Sequence, residues 1–264
     1  MKTVIIGSGN VATHLSLALK KAGQEITQVF SRTLSNANEL ALKVSCHATN
    51  RIEDIITDAD IYIFSIKDDA LREMAEAVAE RLTNSNAVFI HTAGSMQLSI
   101  FEGLTPHYAV LYPMQTFSKS KEINFREVPC FVEFSNNYSQ KIVLCLAEKI
   151  TERIQEASSE KRRVMHLAAV FACNFTNHCY RLAEKFIEEQ DIDFSLFIPL
   201  IQETSRKVTT MSPKKAQTGP MVRNDRNVMG KQLELIKDER TRQIYRLMAE
   251  SIYDDMNDNI NDVR

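Results

Sequence analysis

The short apolar run TVII is followed at once by G-S-G-N-V-A at residues 7–12 and then by the helical pattern VATHLSLALKKAG. No other feature of the chain constrains the fold so tightly. Gly7 permits a sharp strand-to-helix turn, Gly9 lets the backbone approach a pyrophosphate, and Ala12 stands where a third small residue allows helix and strand to pack closely. The amides at the helix start, with the positive end of the helix dipole, complete an anion site. The expectation is a dinucleotide-binding turn with Gly7, Ser8, Gly9, Asn10 and Val11 as cofactor contacts; a purely structural turn is the competing reading. His14 lies past the first helical turn and reads as a packing or surface residue.

The same grammar repeats. EITQVFS precedes SNANELALKV, DIYIFSI precedes DDALREMAEAVAERL, and AVFIHT follows, with further strand patterns at 108–112 and 129–134 and a helix near 138–150. Parallel strands need crossovers, which helices usually supply, so residues 1–157 read as an α/β domain built on a mainly parallel sheet. DIYIFSI is apolar on both alternating faces, as a central parallel strand should be. From residue 158 the strand patterns stop, and helical periodicity runs through 160–190, 194–211, 225–236 and 239–257. Residues 158–264 therefore read as an all-α domain whose tail, YDDMNDNINDVR, is polar enough to fray.

The end of the second strand bears on the cofactor. An NAD site usually places a carboxylate there, against the ribose. Here the strand ends at Ser31, and Arg32, 20 residues after Ala12, is followed by Thr33. Ser31 and Thr33 can donate hydrogen bonds to a 2'-phosphate, while the planar fork of Arg32 pairs with phosphate oxygens and stacks on adenine. NADP(H) is the expected cofactor; an exposed loop arginine without a partner is the alternative.

In open parallel sheets ligands sit beyond the carboxyl ends of the strands. Three such ends carry polar residues: Ser65-Ile66-Lys67-Asp68, His91-Thr92-Ala93-Gly94-Ser95 and Tyr112-Pro113-Met114-Gln115-Thr116. Ser65, Ile66, Lys67 and His91 are expected beside the cofactor, and Tyr112, Gln115 and Thr116 beside a substrate. An ordinary loop ion pair between Lys67 and Asp68, with Asp68 capping the next helix, is an equally plain reading. In KRRVMHLAAVFACNFTNHCYRLAEKF, regular α-helical geometry gathers His166, Val170, Asn174, Asn177 and Arg181 into one polar stripe on an otherwise apolar, largely buried helix. Such a stripe either satisfies another element or lines a cleft. In a cleft, His166 would be the acid/base group, Asn174 would orient the reacting group, and Asn177 would touch substrate. No carboxylate falls on the stripe, so no metal is expected. Glu160-Lys161-Arg162-Arg163 reads as a solvated first turn rather than a phosphate contact.

Composition narrows the class. Lys and Arg number 32 against 34 Asp and Glu, a formal charge of -2, which does not suggest a nucleic-acid binder. Five cysteines without a C-x-x-C pair fit reduced thiols, no apolar run approaches the roughly 20 residues that cross a bilayer, and Met1-Lys2-Thr3 lacks the features of a signal peptide. The expectation is a cytoplasmic protein that takes a small-molecule substrate and engages neither nucleic acid nor membrane.

IIGSGNVATHL, the SRT after the second strand, DIYIFSIKDDAL, HTAGS, LYPMQTFS, RRVMHLAAVFACNF and AQTGPMVRNDRN together span residues 3 to about 230. As an ordered set they resemble the NADP oxidoreductases that join a Rossmann-like N-terminal domain to a helical C-terminal domain of unknown function, number 2520. The resemblance implies a fold like that of pyrroline-5-carboxylate reductases and 3-hydroxyacid dehydrogenases, NADP(H) at the glycine turn and a homodimer formed through the helical half. It implies no particular substrate. The family pattern has a histidine before the sixth-strand proline, a serine in the fifth-strand turn and R-G-D in the late loop, where this chain has Tyr112, Ala93 and Asn224; His166 and Asn174 match it. The reading is an oxidoreductase passing hydride between NADP(H) and a small carbonyl, hydroxy or imine compound in an interdomain cleft. The rivals are a non-catalytic NADP(H) sensor or scaffold and an exchanger of hydride with a deazaflavin.

Overall fold

The computed structural model describes residues 1–257. They fall into two compact units that divide between Phe175 and Thr176. The first carries, in chain order, β1 (Lys2–Ile6), α1 (Asn10–Lys21), β2 (Glu25–Phe30), α2 (Leu34–Val44), β3 (His47–Thr49), β4 (Ile61–Phe64), α3 (Leu71–Ala79), β5 (Val88–His91), β6 (His107–Pro113), β7 (Cys130–Phe134), α4 (Asn137–Ile150), β8 (Ile154–Glu156) and α5 (Ser159–Ala169). The strands form one sheet in the order β3-β2-β1-β4-β5-β6-β7-β8, parallel throughout except between β6 and β7. Strand order runs one way from β1 and the other way from β4, so the crevice between their carboxyl ends is the natural ligand edge.

Both faces of the sheet are covered, and the central strands are apolar on both. Ile5, Ile61, Ile63 and Ile90 pack with Leu15, Leu40 and Val143 of α1, α2 and α4. Val4, Ile6, Tyr62, Phe64 and Phe89 pack with Leu71 and Val78 of α3 on the other side. Successive residues of a strand point to opposite faces, which is why an unbroken apolar run marks a strand buried on both. β4 lies at the centre with all four residues buried, as expected. β3 and β8, three residues each, are too short to show a period and stood out in no sequence pattern.

The expected continuous helix over 160–190 is interrupted. α5 gives way to a π-helical segment, Val170–Phe175, and α6 (Thr176–Glu188) follows in the second unit. Nor is the helix largely buried: Val164, Leu167, Phe171 and Phe175 are each more than half exposed. Periodicity shows which residues share a face; it does not say that the same chain covers that face.

The second unit is helical, as read: α6, α7 (Ile198–Thr210), α8 (Pro213–Ala216), α9 (Arg226–Leu235) and α10 (Glu239–Asn257). Asn224 has φ +51, a left-handed conformation that glycine or asparagine adopts most readily. This accounts for asparagine where the family pattern has glycine. Asp225 follows as N-cap, accepting from the Val228 amide at 3.2 Å. Of the expected frayed tail, residues 253–257 complete α10, and the remainder lies outside the described residues.

Candidate active site

The glycine turn is fixed by its neighbours. The Gly7 amide donates to the Phe30 carbonyl at 2.8 Å and the Ser65 amide to the Ile6 carbonyl at 2.8 Å, so the turn is tied to the ends of β2 and β4. Gly7 has φ +125, and a Cβ there would lie 2.1 Å from the Ser65 carbonyl oxygen. Gly9 differs: a Cβ would meet nothing within 4 Å. It caps α1 with no side-chain hydrogen bond and no acidic residue in the first turn, which leaves the helix end and the space before it open to an anion. Ala12 is buried, as close helix–strand packing requires. His14 is buried too, its Nε2 2.9 Å from the Ser118 carbonyl and its ring stacked on Phe117.

A cleft of about 760 Å³ opens from this turn. Gly7, Ser8, Gly9, Asn10 and Val11 form one wall, and Ser31, Arg32 and Thr33 extend it. The Ser8 hydroxyl donates to Ser31 Oγ at 2.8 Å, joining the two stretches. Asp68 is the one carboxylate among the lining residues, and it accepts from the Ser95 hydroxyl rather than pairing with Lys67. The expected Lys67–Asp68 ion pair is thus not formed, and Asp68 caps no helix with its side chain. Ser65, Ile66 and Lys67 line the cleft. His91 does not. It is fully buried against Phe101, and its Nδ1 accepts from the Ala93 amide at 3.2 Å. Burial, and then the Arg162 charge, push His91 down to about 3, so it is neutral near pH 7.

Tyr112, Gln115 and His166 also line the cleft. The Tyr112 hydroxyl is 3.1 Å from His166 Nδ1. The pair sits over Gly94, where a Cβ would come within 2.7 Å of Tyr112 Cζ and 2.9 Å of His166 Nδ1. Gly94→Ala should therefore displace the pair. Overpacking of this kind costs about 1–3 kcal/mol, and a thermal melt should show a transition lower by roughly 2–10 °C; an unshifted transition would mean the two rings move aside freely.

Tyr112, Gln115 and His166 also border a second cavity of about 480 Å³, where they are joined by Thr116 and Asn174. Met114, Met165 and Val170 supply its apolar surface. His166 and Asn174 thus share a cavity, although the π turn between them breaks the regular spacing from which their stripe was read. Asn177 lies exposed on α6 in the second unit, and Arg181 there pairs with Glu184 and Glu188. Arg162 corrects the reading of a solvated first turn: its side chain is fully buried and paired with Glu133. The tight seat at Gly94 and the burial of Arg162 escaped the sequence reading. In sequence nothing distinguishes Gly94 from any other loop glycine, and Arg162 stands in a charged run.

Two family descriptions match the chain: "NADP oxidoreductase coenzyme F420-dependent" over residues 2–101 and a domain of unknown function, number 2520, over residues 128–252. Among solved structures, a candidate NADP oxidoreductase of Bacteroides fragilis is 42% identical with a TM-score of 0.92, the match covering 96% of this chain and 98% of that one. A Thermotoga maritima protein is 21% identical, TM-score 0.72, with coverage of 97% and 99%. An imine reductase from Myxococcus stipitatus, solved with NADP+, shares the fold at 16% identity and TM-score 0.66, with coverage of 99% and 94%. No curated protein matches the chain.

Proposed function

The chain belongs to the NADP oxidoreductases whose C-terminal part is a domain of unknown function, and from that premise we propose that it reduces or oxidises a small carbonyl, hydroxy or imine compound beside the Tyr112–His166 pair. Its cofactor is NADP(H), which supplies or accepts the hydride when bound. The observation that carries the proposal is the continuity of one cleft from the glycine turn, past Ser31, Arg32 and Thr33, to Tyr112 and His166. Gly7 and Gly9 provide the close approach for the pyrophosphate, and Arg32 pairs with the 2'-phosphate. Tyr112 and His166 form the proton source, Asn174 orients the reacting group, and Gln115 and Thr116 contact the substrate.

The helical half serves dimerisation. Beyond residue 175, Ile187 and Ile236 are the only apolar side chains of the described residues that are buried, whereas Leu196, Leu200, Leu235 and Leu247 are each more than 60% exposed. That much apolar surface calls for a partner, and the partner we propose is a second copy. Sedimentation should give twice the chain mass of 30.1 kDa; a monomer at micromolar concentration would exclude it. No described helix is long and apolar enough to cross a membrane, and we place the protein in the cytoplasm on its unpaired thiols.

Two measurements test the oxidoreductase reading. Calorimetric titration should show micromolar NADPH binding and much weaker NADH binding. His166→Ala should then lower turnover tenfold or more on carbonyl or imine probes, with NADPH affinity kept. A non-catalytic sensor would bind NADPH equally well but turn over no probe and would be indifferent to the substitution.

A further inference from the structure

Arg162 is fully buried one helical turn before His166 on α5. Its Nη1 donates to the Glu133 carboxylate of β7, and its Nη2 donates to the Met96 carbonyl and, at 3.3 Å, to Ser159 Oγ. Ser159 reinforces the arrangement, donating to Glu133 through its amide at 3.0 Å and its hydroxyl at 2.8 Å and accepting from the Leu98 amide at 2.9 Å. The loop after β5, which carries Gly94, is thereby clamped to α5. A buried ion pair adds little net stability over apolar residues of similar size, so its position invites another explanation.

That position is close to Tyr112: His166, one turn further along α5, meets its hydroxyl, and Glu133 stands opposite Val110, two residues before Tyr112 on β6 and therefore on the same face of the sheet. Burial pushes the Tyr112 phenol up, the Arg162 charge opposes that rise, and the Cys173 thiol adds to it. The other titratable neighbours are His166, in contact with the hydroxyl, Glu133, which partly neutralises Arg162, and His91, held neutral on β5. Lys67, Asp68, Arg32 and Lys119 line the same cleft. Tyr112 is nearly buried, while His166 is exposed and can exchange protons with water.

We infer that Tyr112 delivers the proton to the reduced substrate, that His166 reloads it, and that Arg162 is the positioning residue that stabilises the phenolate between the two events. The inference rests on the oxidoreductase reading. In the reduction direction bound NADPH would supply the hydride, its own C–H bond breaking to leave NADP+ as the substrate's C–H bond forms, and the electron pair of the C=O or C=N bond moves to the heteroatom. The heteroatom takes the Tyr112 hydroxyl proton, which leaves a phenolate. An imidazolium at His166 then gives its Nδ1 proton to the phenolate and regains one from water.

The chain has 7 tyrosines and no tryptophan, so the near-ultraviolet tyrosinate band is clean, and subtracting a Tyr112→Phe titration isolates Tyr112. The double variant Arg162→Met/Glu133→Gln removes both partners and leaves no uncompensated charge. At the pH where wild-type Tyr112 is half ionised, the double variant should be only about one-tenth ionised, an upward shift of about one pH unit. A merely structural role for Arg162 predicts the opposite sign, because a loosened pocket rehydrates the phenol and lowers its titration toward the ordinary value. Arg162→Lys, which keeps a charge, should lie nearer wild type. Should the double variant not fold, Glu133→Gln decides, although it melts lower because a buried charge loses its partner: at a temperature where the variant is still native, the freed Arg162 charge should shift Tyr112 downward, and no shift or an upward one overturns the inference. On probes that the protein reduces, Tyr112→Phe should lose about 100-fold or more in turnover with NADPH affinity unchanged, and more than His166→Gln loses; an active Tyr112→Phe also overturns it. Failure to bind NADPH would instead sink the oxidoreductase reading, and the tyrosinate titration is independent of that result.

Discussion

Gly7→Ala should lose about 2–5 kcal/mol of stability and all measurable NADPH binding, combining a left-handed alanine with a backbone clash. The φ of +125 and the 2.1 Å approach to the Ser65 carbonyl mean that β1 and β4 would have to separate at the ligand edge. Gly9→Ala is the matched control. Its Cβ meets nothing within 4 Å, so chemical denaturation should give a stability within about 0.5 kcal/mol of wild type, as for other substitutions away from special features. NADPH affinity should nevertheless fall, because the added methyl group occupies the approach to the phosphates. Equal stability for both variants would contradict the geometry of the turn.

Arg32→Asp should weaken NADPH binding by about 100-fold and NADH binding by no more than a few-fold. A hydrogen bond to a charged group contributes about 1.5–3 kcal/mol, the new carboxylate repels a 2'-phosphate, and about 1.4 kcal/mol is a factor of ten in affinity. Paired calorimetric titrations read the ratio directly. Equal losses for both nucleotides would show that Arg32 meets adenine or nothing, and the preference would then have to come from Ser31 and Thr33.

The sheet and the glycine turn were legible in sequence because their signals are local. A glycine turn and a two-sided apolar strand each occupy a few residues, β1 and β4 stand where those signals put them, and Gly7 and Arg32 line one cleft. What depends on contacts between distant segments was not legible. Arg162 reads as one charge in a polar run until Glu133, 29 residues earlier, is seen to accept from it. His91 reads as a strand-end ligand until Phe101 and the Ala93 amide are seen to enclose it. The exposed face of α5 shows the same limit, since an apolar period does not name what covers it.

The π turn at Val170–Phe175 makes one residue of that stretch surplus to helical geometry. A turn closed from i to i+5 holds one residue more than an α-turn, so it absorbs an added residue that a regular helix would take up as a rotation of about 100°. Loss of one residue between His166 and Asn174 would let the segment close as ordinary helix and would leave the two side chains about 20° apart around the axis, still on one face. A one-residue gap in this stretch of a relative is therefore expected to keep that pairing, whereas a gap of two would carry one side chain about 120° away from the other.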